Sequence, residues 1–366
     1  MRITPDAKMN PRALIVRLGA MGDILHALPA VAMLRRALPE AQIGWVVEQR
    51  WRELLCAPGV ELAGSRSAGR PLADEVHLVD TRSWRKHPLS PETRREFLSA
   101  IRGMRARQYD AALDLQGAIK SSVVAKLSGA ALILGFRKPR EFLARLLYNT
   151  LADGRAPHVI EQNVEVVQTW LEEIGLSRAT PALSPGTALL PRDRSSEARI
   201  DATLKSMGLA RSPFAILNPS AGWAAKQWEP SRYGELAIRL AARGLRSIVN
   251  YGPGEEALAR QTVTASNGSA IELSSSLSEL MALMRRSQLF VGPDTGPMHL
   301  AAVLGVKTVA LFGPTDPARN GPYWAGTRVL RHPASITSYN HKRTTDSGLE
   351  KITVEHVQAE IDALLD

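Results

Sequence analysis

The sequence predicts an α/β protein made of two doubly wound parallel sheets, on three observations. Short apolar runs alternate with amphipathic helical patterns through nearly all of the 366 residues. Glycine-bearing turns follow several of those runs. A stretch rich in Pro, Ser and Gly, GLSRATPALSPGTALLPRDRS at 175–195, divides the alternation in two. Alternating strands and helices imply parallel sheets covered on both faces, and a segment of that composition reads as a linker. The expected architecture is two Rossmann-like domains facing across a cleft, over 1–185 and 186–350. A helix over 351–366 closes the chain, with the option of crossing back to the first domain.

In the first half, apolar β-rich runs place strands near 13–17 (ALIVR), 42–47 (QIGWVV), 75–79 (EVHLV), 110–114 (DAALD) and 131–135 (ALILG). Helical patterns lie near 23–37, 93–107 and 117–128. The second half repeats the scheme, with strands near 214–218, 247–251, 270–273, 288–292 and 307–312 and helices near 230–243, 254–266, 277–286 and 297–304. In TVEHVQAEIDALLD, Val354, Val357, Ile361 and Leu364 share one face of the closing helix.

The composition excludes several classes of function. Hydrophobic residues make up 45% and charged residues 22% of the chain, the balance of a globular protein rather than a disordered one. A single cysteine, Cys56, allows no intrachain disulfide and fits a reducing compartment. The polar start MRITPDAKMNPR does not read as a secretory signal, and no apolar run reaches the ~18 residues of a membrane span. A cytoplasmic protein is expected. The net charge is +10, and residues 82–107 and 136–145 are both rich in Arg and Lys. Two such clusters in one domain point to an anionic partner: an acidic membrane surface, a phosphorylated or carboxylated substrate, or nucleic acid.

Ligands of open α/β sheets bind at the carboxyl ends of the strands, and the notable loops fall there. GAMGDILH follows the first strand. Its glycines are spaced G-x-x-G rather than G-x-G-x-x-G, and Asp23 sits where a cofactor pyrophosphate would bind, so a dinucleotide site is disfavoured although Glu48 closes the second strand. Asp23 reads either as a helix N-cap or as a general base directed at a substrate. His26 is the competing base. NPSAGWAAKQWEPSRY at 218–233 offers small residues around Ser220 that let amides approach an anion, and Lys226 adds a full charge. Trp228 and Tyr233 read as core. In VGPDTGPMHLAA at 291–302, a strand ends at Asp294, Thr295 is placed to cap a helix, Gly296 allows close approach and Pro297 suits the first turn. His299 follows one turn on. FGPTDPARNGP at 312–322 is another glycine turn after a strand. No pattern of metal ligands, P-loop or G-x-S-x-G elbow occurs, so no metal or cofactor is expected.

These loops, with WVVE (45–48), WRK (84–86), YDAALDLQGAIKS (109–121), REFLARLLYN (140–149), KQW (226–228) and PGEE (253–256), resemble glycosyltransferase family 9, the heptosyltransferases of lipopolysaccharide core assembly. The likeness is nearest to the heptosyltransferase I branch. It implies a GT-B arrangement and an inverting, metal-independent transfer of heptose from ADP-heptose to the 3-deoxy-octulosonic acid (Kdo) residue of the lipid A inner core. It further implies peripheral association with the cytoplasmic face of the inner membrane, and no nucleic acid. By motif, Asp23 would be the base and Lys226 the charge that supports the leaving diphosphate. Ser220, Glu255, Asp294, Thr295, Gly296 and His299 would bind the donor, with Glu256 the alternative to Glu255. Arg82, Arg85, Lys86 and Arg140 would grip the acidic acceptor. SAGWAAK departs from the pattern, having Ala221 and Gly222 where some relatives carry a pair of hydroxyls, and HKRTTDSGLEKIT (341–353) has no assigned role. Rival functions are transfer of another sugar or to a later core acceptor, as in heptosyltransferase II, a nucleotide-sugar epimerase, and a nucleic-acid-binding protein.

Overall fold

The computed structural model describes residues 10–176, 189–338 and 344–366. They form two compact units that divide at residues 191 and 192, each with its own six-stranded sheet. The first unit runs β1 (Arg12–Val16), α1 (Met21–Ala37), β2 (Gln42–Glu48), β3 (Glu75–Val79), α2 (Thr81–Lys86), α3 (Pro91–Ala106), β4 (Ala111–Asp114), α4 (Ile119–Leu127), β5 (Leu132–Phe136), β6 (Thr150–Ala152) and α5 (Val159–Glu173). The second runs α6 (Arg194–Ser206), β7 (Phe214–Leu217), α7 (Pro230–Ala242), β8 (Arg246–Tyr251), α8 (Glu256–Ala265), β9 (Ala270–Ser274), α9 (Leu277–Met284), β10 (Leu289–Pro293), α10 (Gly296–Leu304), β11 (Lys307–Phe312), α11 (Pro317–Asn320), β12 (Thr327–Arg331), α12 (Ser347–Glu350) and α13 (Val354–Leu365).

Both sheets are parallel and have the same topology. The first is ordered β3-β2-β1-β4-β5-β6, and the second β12-β11-β10-β7-β8-β9, the same winding with two strands on each side of the central pair. The order of connection therefore reverses between β1 and β4, and again between β7 and β10. At such switch points the loops diverge and leave a crevice. Central strands such as ALIV and FAIL are fully buried, as parallel strands covered on both faces require.

The expected strands are all present, and the structure adds elements that the pattern did not show. Strands β6 and β12 are short or polar edge strands, for which periodicity gives little signal. Helix α5 packs on α1. Part of the expected linker, 177–188, lies outside the described residues. Its end is already ordered, because Asp193 caps α6 by accepting from the Ser195 and Ser196 amides. The closing helix α13, for which a return to the first domain was only an option, packs on α7, β11 and β12. Val357 and Ile361 are buried in the core of the second unit, so residues 351–366 belong to that unit.

One buried polar pair makes the first unit sensitive to acid. His77 on β3 and the Tyr109 hydroxyl are 2.7 Å apart, and the same tyrosine lies so close to β2 that a side chain on Gly44 would strike its hydroxyl. Burial, reinforced by the Arg107 charge, lowers the His77 pKa to about 4. An unfolded histidine takes up its proton near 6.5. Stability from the neutral imidazole is thus complete above pH 6.5 and is lost as pH falls towards 4, by about 3 kcal/mol. Denaturant unfolding across this range should fall less steeply with acid for His77→Gln than for the wild type; equal slopes would contradict the assignment.

Candidate active site

At the carboxyl end of the first sheet, Arg17 leaves β1 and turns inward. Its guanidinium donates to the Leu115 carbonyl and pairs with Asp23 Oδ1 at 2.9 Å. The other carboxylate oxygen accepts from the Ala20 amide at 3.1 Å. Helix α1 starts at Met21 with Ala20 as its N-cap, so Asp23 is the third helical residue reaching back, not the cap itself. Its side chain remains 37% exposed against 8% for that of Arg17. The carboxylate is thus aimed by two fixed donors while staying open to solvent. His26 is buried, stacks edge-on against His158, and its carbonyl accepts from Asn163 of α5. These contacts make His26 a packing residue.

The turn after β4 braces this loop. Gln116 Oε1 accepts from the Leu18 amide at 2.9 Å, and Asp114 beneath it is fully buried. Asp114 accepts from the Gln116 and Gly117 amides, Ser121 Oγ and Tyr148 Oη. Burial raises its pKa in spite of these donors. Arg82, Arg85 and Lys86 lie on α2, directly after β3, and all three are exposed. The start of α2 is tied to the end of β2 by Thr81, whose hydroxyl donates to the buried Glu48 carboxylate. The acidic residue of the dinucleotide reading is thus occupied within the protein. Arg140, also exposed, follows β5, and its backbone amide abuts Gly117 of the β4 turn. All four basic residues therefore stand at the same end of the first sheet as Asp23.

The second switch point is built around Asp294, which directly follows β10 and is buried. Lys226 Nζ donates to its Oδ2 at 2.6 Å and to its carbonyl at 3.2 Å. Thr315 Oγ1, from the loop after β11, donates to Oδ2 at 2.7 Å, and His299 Nε2 lies 3.2 Å from Oδ1. Burial alone would raise the Asp294 pKa, but His299 and Lys226 outweigh it and hold the carboxyl below the usual carboxylate range. Lys226 also lies over the Trp223 ring, 4.6 Å from its centre. Thr295 occupies the N-cap position of α10, but its hydroxyl donates back to the Pro293 carbonyl and caps no amide. This corrects the capping role expected for it. The first turn, with Gly296 and Pro297, has no side-chain cap, the condition in which a helix start can receive an anion. Ser220 is buried after β7, and its hydroxyl makes no hydrogen bond among the described residues. Glu255 follows the neighbouring strand β8 and turns back to accept from the Gly252 amide at 2.8 Å; Glu256 accepts from Gly254.

Three contributors were missing from the sequence reading of the site: Arg17, Gln116 and Thr315. Thr315 had a signal, the glycine turn FGPTDP after a strand. Arg17 and Gln116 had none beyond adjacency to strand ends. The segment from 344 onward gains a role as well. The Asp346 amide donates to the Ala225 carbonyl, Trp228 Nε1 to the Ile352 carbonyl at 2.8 Å, and Arg232 to the Glu350 and Ile352 carbonyls. It underpins the lysine loop. Trp228 and Tyr233 are core, as expected, stacked edge-to-face.

Because Asp294 is a buried anion with a buried cationic partner, Asp294→Asn should destabilise the fold at neutral pH by about 3 kcal/mol. The carboxylate pKa is depressed on folding. Its contribution is therefore complete above the unfolded value near 3.9 and declines only as pH falls below it. The stability gap between variant and wild type should hold from pH 7 to 5 in denaturant unfolding. A gap that closes by pH 5, or no gap at all, would contradict this reading.

The model of glycosyltransferase family 9 (heptosyltransferase) matches residues 97–349. Lipopolysaccharide heptosyltransferase 1 of Salmonella typhimurium is 29% identical over 85% of this chain and 91% of its own length. The same-named protein of Pseudomonas aeruginosa is 28% identical over 85% of this chain and 81% of its own. Among solved structures, E. coli heptosyltransferase WaaC with ADP superposes with a TM-score of 0.76 at 25% identity, covering 96% of this chain and 99% of that one. A family 9 glycosyltransferase from Veillonella parvula superposes at 0.79 with 22% identity, covering 97% of each, a likeness of fold. The chain belongs to glycosyltransferase family 9 and is a glycosyltransferase.

Proposed function

We propose that this protein transfers heptose from ADP-heptose to the Kdo residue of the lipid A inner core in lipopolysaccharide biosynthesis, with inversion and without a metal ion, at the cytoplasmic face of the inner membrane. The observation that carries this reading is the Lys226 ammonium, fixed by Asp294 beside the uncapped start of α10. A diphosphate needs such a place: a held cation beside an uncapped helix start. An ammonium has three donors; Asp294 takes two and leaves one for the ligand. Heptosyltransferase 1 relatives and E. coli WaaC structures with ADP and with ADP-2-deoxy-2-fluoro heptose support the choice of donor.

In the proposed reaction the acceptor hydroxyl attacks the anomeric carbon. Asp23 takes its proton as the new C–O bond forms, and the bond to the diphosphate breaks on the opposite face of the sugar. The departing ADP carries away the electron pair, and Lys226 with the α10 amides opposes the charge that develops on it. Arg17 keeps the Asp23 carboxylate oriented. Asp294 and His299 act by positioning Lys226 and the loop rather than by touching phosphate, since a buried carboxylate would repel it. Arg82, Arg85, Lys86 and Arg140 match acceptor carboxylates and phosphates in charge and geometry.

The test is a panel of ADP- and UDP-sugars with de-acylated Kdo-bearing core acceptor, followed by nucleotide release. ADP-heptose should be turned over only with the acceptor present, and EDTA should leave the rate unchanged. Asp23→Asn can still accept from the Ala20 amide, yet turnover should fall about 10²–10⁴-fold. Arg85→Ala with Arg140→Ala should raise the acceptor KM and spare donor binding. Near-normal turnover by the Asp23→Asn variant, donor consumption without acceptor, or a strict metal requirement would each contradict the proposal.

A further inference from the structure

Five exposed large apolar side chains cluster on two adjoining elements of the first unit. The 3-10 segment Phe142–Leu147 packs on α4. It leaves Phe142 70%, Leu143 57% and Leu146 72% exposed, and α4 leaves Ile119 and Val123 exposed as well. This is not a frayed loop. Ala144 is fully buried beneath it, the Glu141 amide donates to the Gly117 carbonyl, and Glu141 Oε2 accepts from the Ile119 amide at 2.9 Å. The segment is anchored from below while its large side chains are held outward. An apolar patch of this kind on a fixed element marks an interaction site.

Its surroundings select the occupant. Lys120 and Lys126 share the outer side of α4 with the apolar pair, and Lys138, Arg140 and Arg145 flank the segment, all exposed. Aromatic and aliphatic side chains ringed by Lys and Arg match the boundary of an anionic bilayer, where apolar groups enter the acyl region and cations meet headgroup phosphates. No helix among the described residues is long and apolar enough to cross a membrane. We propose that Phe142, Leu143 and Leu146, with Ile119 and Val123 beside them, form the surface by which the first unit docks on an anionic lipid bilayer. This deepens the membrane part of the proposed function, but its test needs neither donor nor acceptor.

The experiment is co-sedimentation of the full chain with vesicles, either of phosphatidylglycerol mixed with phosphatidylethanolamine or of phosphatidylcholine alone. The wild type should bind the anionic vesicles preferentially. The Phe142→Ser/Leu143→Ser/Leu146→Ser variant should bind them at least tenfold more weakly, with an unchanged melting temperature and unchanged transfer to a soluble acceptor. Lys138→Glu/Arg145→Glu should remove the preference for anionic lipid, because each surface cation contributes to that attraction. Vesicle binding by a chain that transfers no heptose would support this surface while refuting the proposed reaction. Failure of the wild type to bind, or equal binding by the serine variant, would overturn the inference. So would a wild-type dimer that the serine variant converts to a monomer, since the patch would then be an interface between copies.

Discussion

Each unit holds an ion pair at the point where its strand order reverses, and the proposed reaction draws on the carboxylate of one and the ammonium of the other. In the first, the cation is the anchor: the Arg17 side chain is 8% exposed and its partner Asp23 37%. In the second, the anchor is the carboxylate: Asp294 is 7% exposed and Lys226 14%. One winding of the chain thus gives a carboxylate open to solvent on one sheet and a held ammonium on the other. In the proposed reaction the same topology supplies a base and an anion site: Asp23 is the exposed member of its pair, whereas Lys226 and Asp294 are both largely buried.

Burying a charge costs more than its partner returns unless further hydrogen bonds satisfy it, and both anchors meet that condition. Asp294 has Thr315 and His299 in addition to Lys226. Arg17 has the Leu115 carbonyl, and the neighbouring backbone is fixed by Gln116. These supports come from strands adjacent to the one bearing the charge: β4 beside β1, and β11 beside β10. Within each unit the charged pair and its supports are therefore placed by loops of adjacent strands. Further support comes from the end of the chain, where the loop before α12 and the residues after it hold the lysine loop from below.

Much of this could be read from the sequence. Runs such as ALIV and KTVALF have the continuous apolar character of parallel strands, and the glycine and proline turns after them located both switch points. Asp23, Lys226, Asp294 and His299 stand out in the sequence because they are polar or charged residues in or beside turns that follow strands, and the structure places them at the two switch points. What stayed hidden depends on partners distant in sequence. Nothing near Thr315 reveals that it bonds Asp294, 21 residues away, and nothing near Arg17 points to Leu115 across 98 residues. Capping suits both Thr295 and Asp23 by sequence position, yet neither is the cap: Thr295 bonds back to Pro293, and Asp23 is the third residue of its helix. The competing hydrogen bonds, to Pro293 and from Ala20, are set by loop geometry. Edge strands β6 and β12 escaped because a short edge strand needs little apolar periodicity.

The central claim is that Asp294 works through Lys226, and a double-mutant cycle on nucleotide binding tests it most directly. ADP affinity would be measured by calorimetry for the wild type, Lys226→Met, Asp294→Asn and the double variant, with folding of each confirmed by its melting transition. If Asp294 acts by holding the ammonium in place, each single variant weakens ADP binding, and the double variant binds no more weakly than Lys226→Met alone. Additive losses, or an Asp294→Asn protein that binds ADP as tightly as the wild type, would contradict the account.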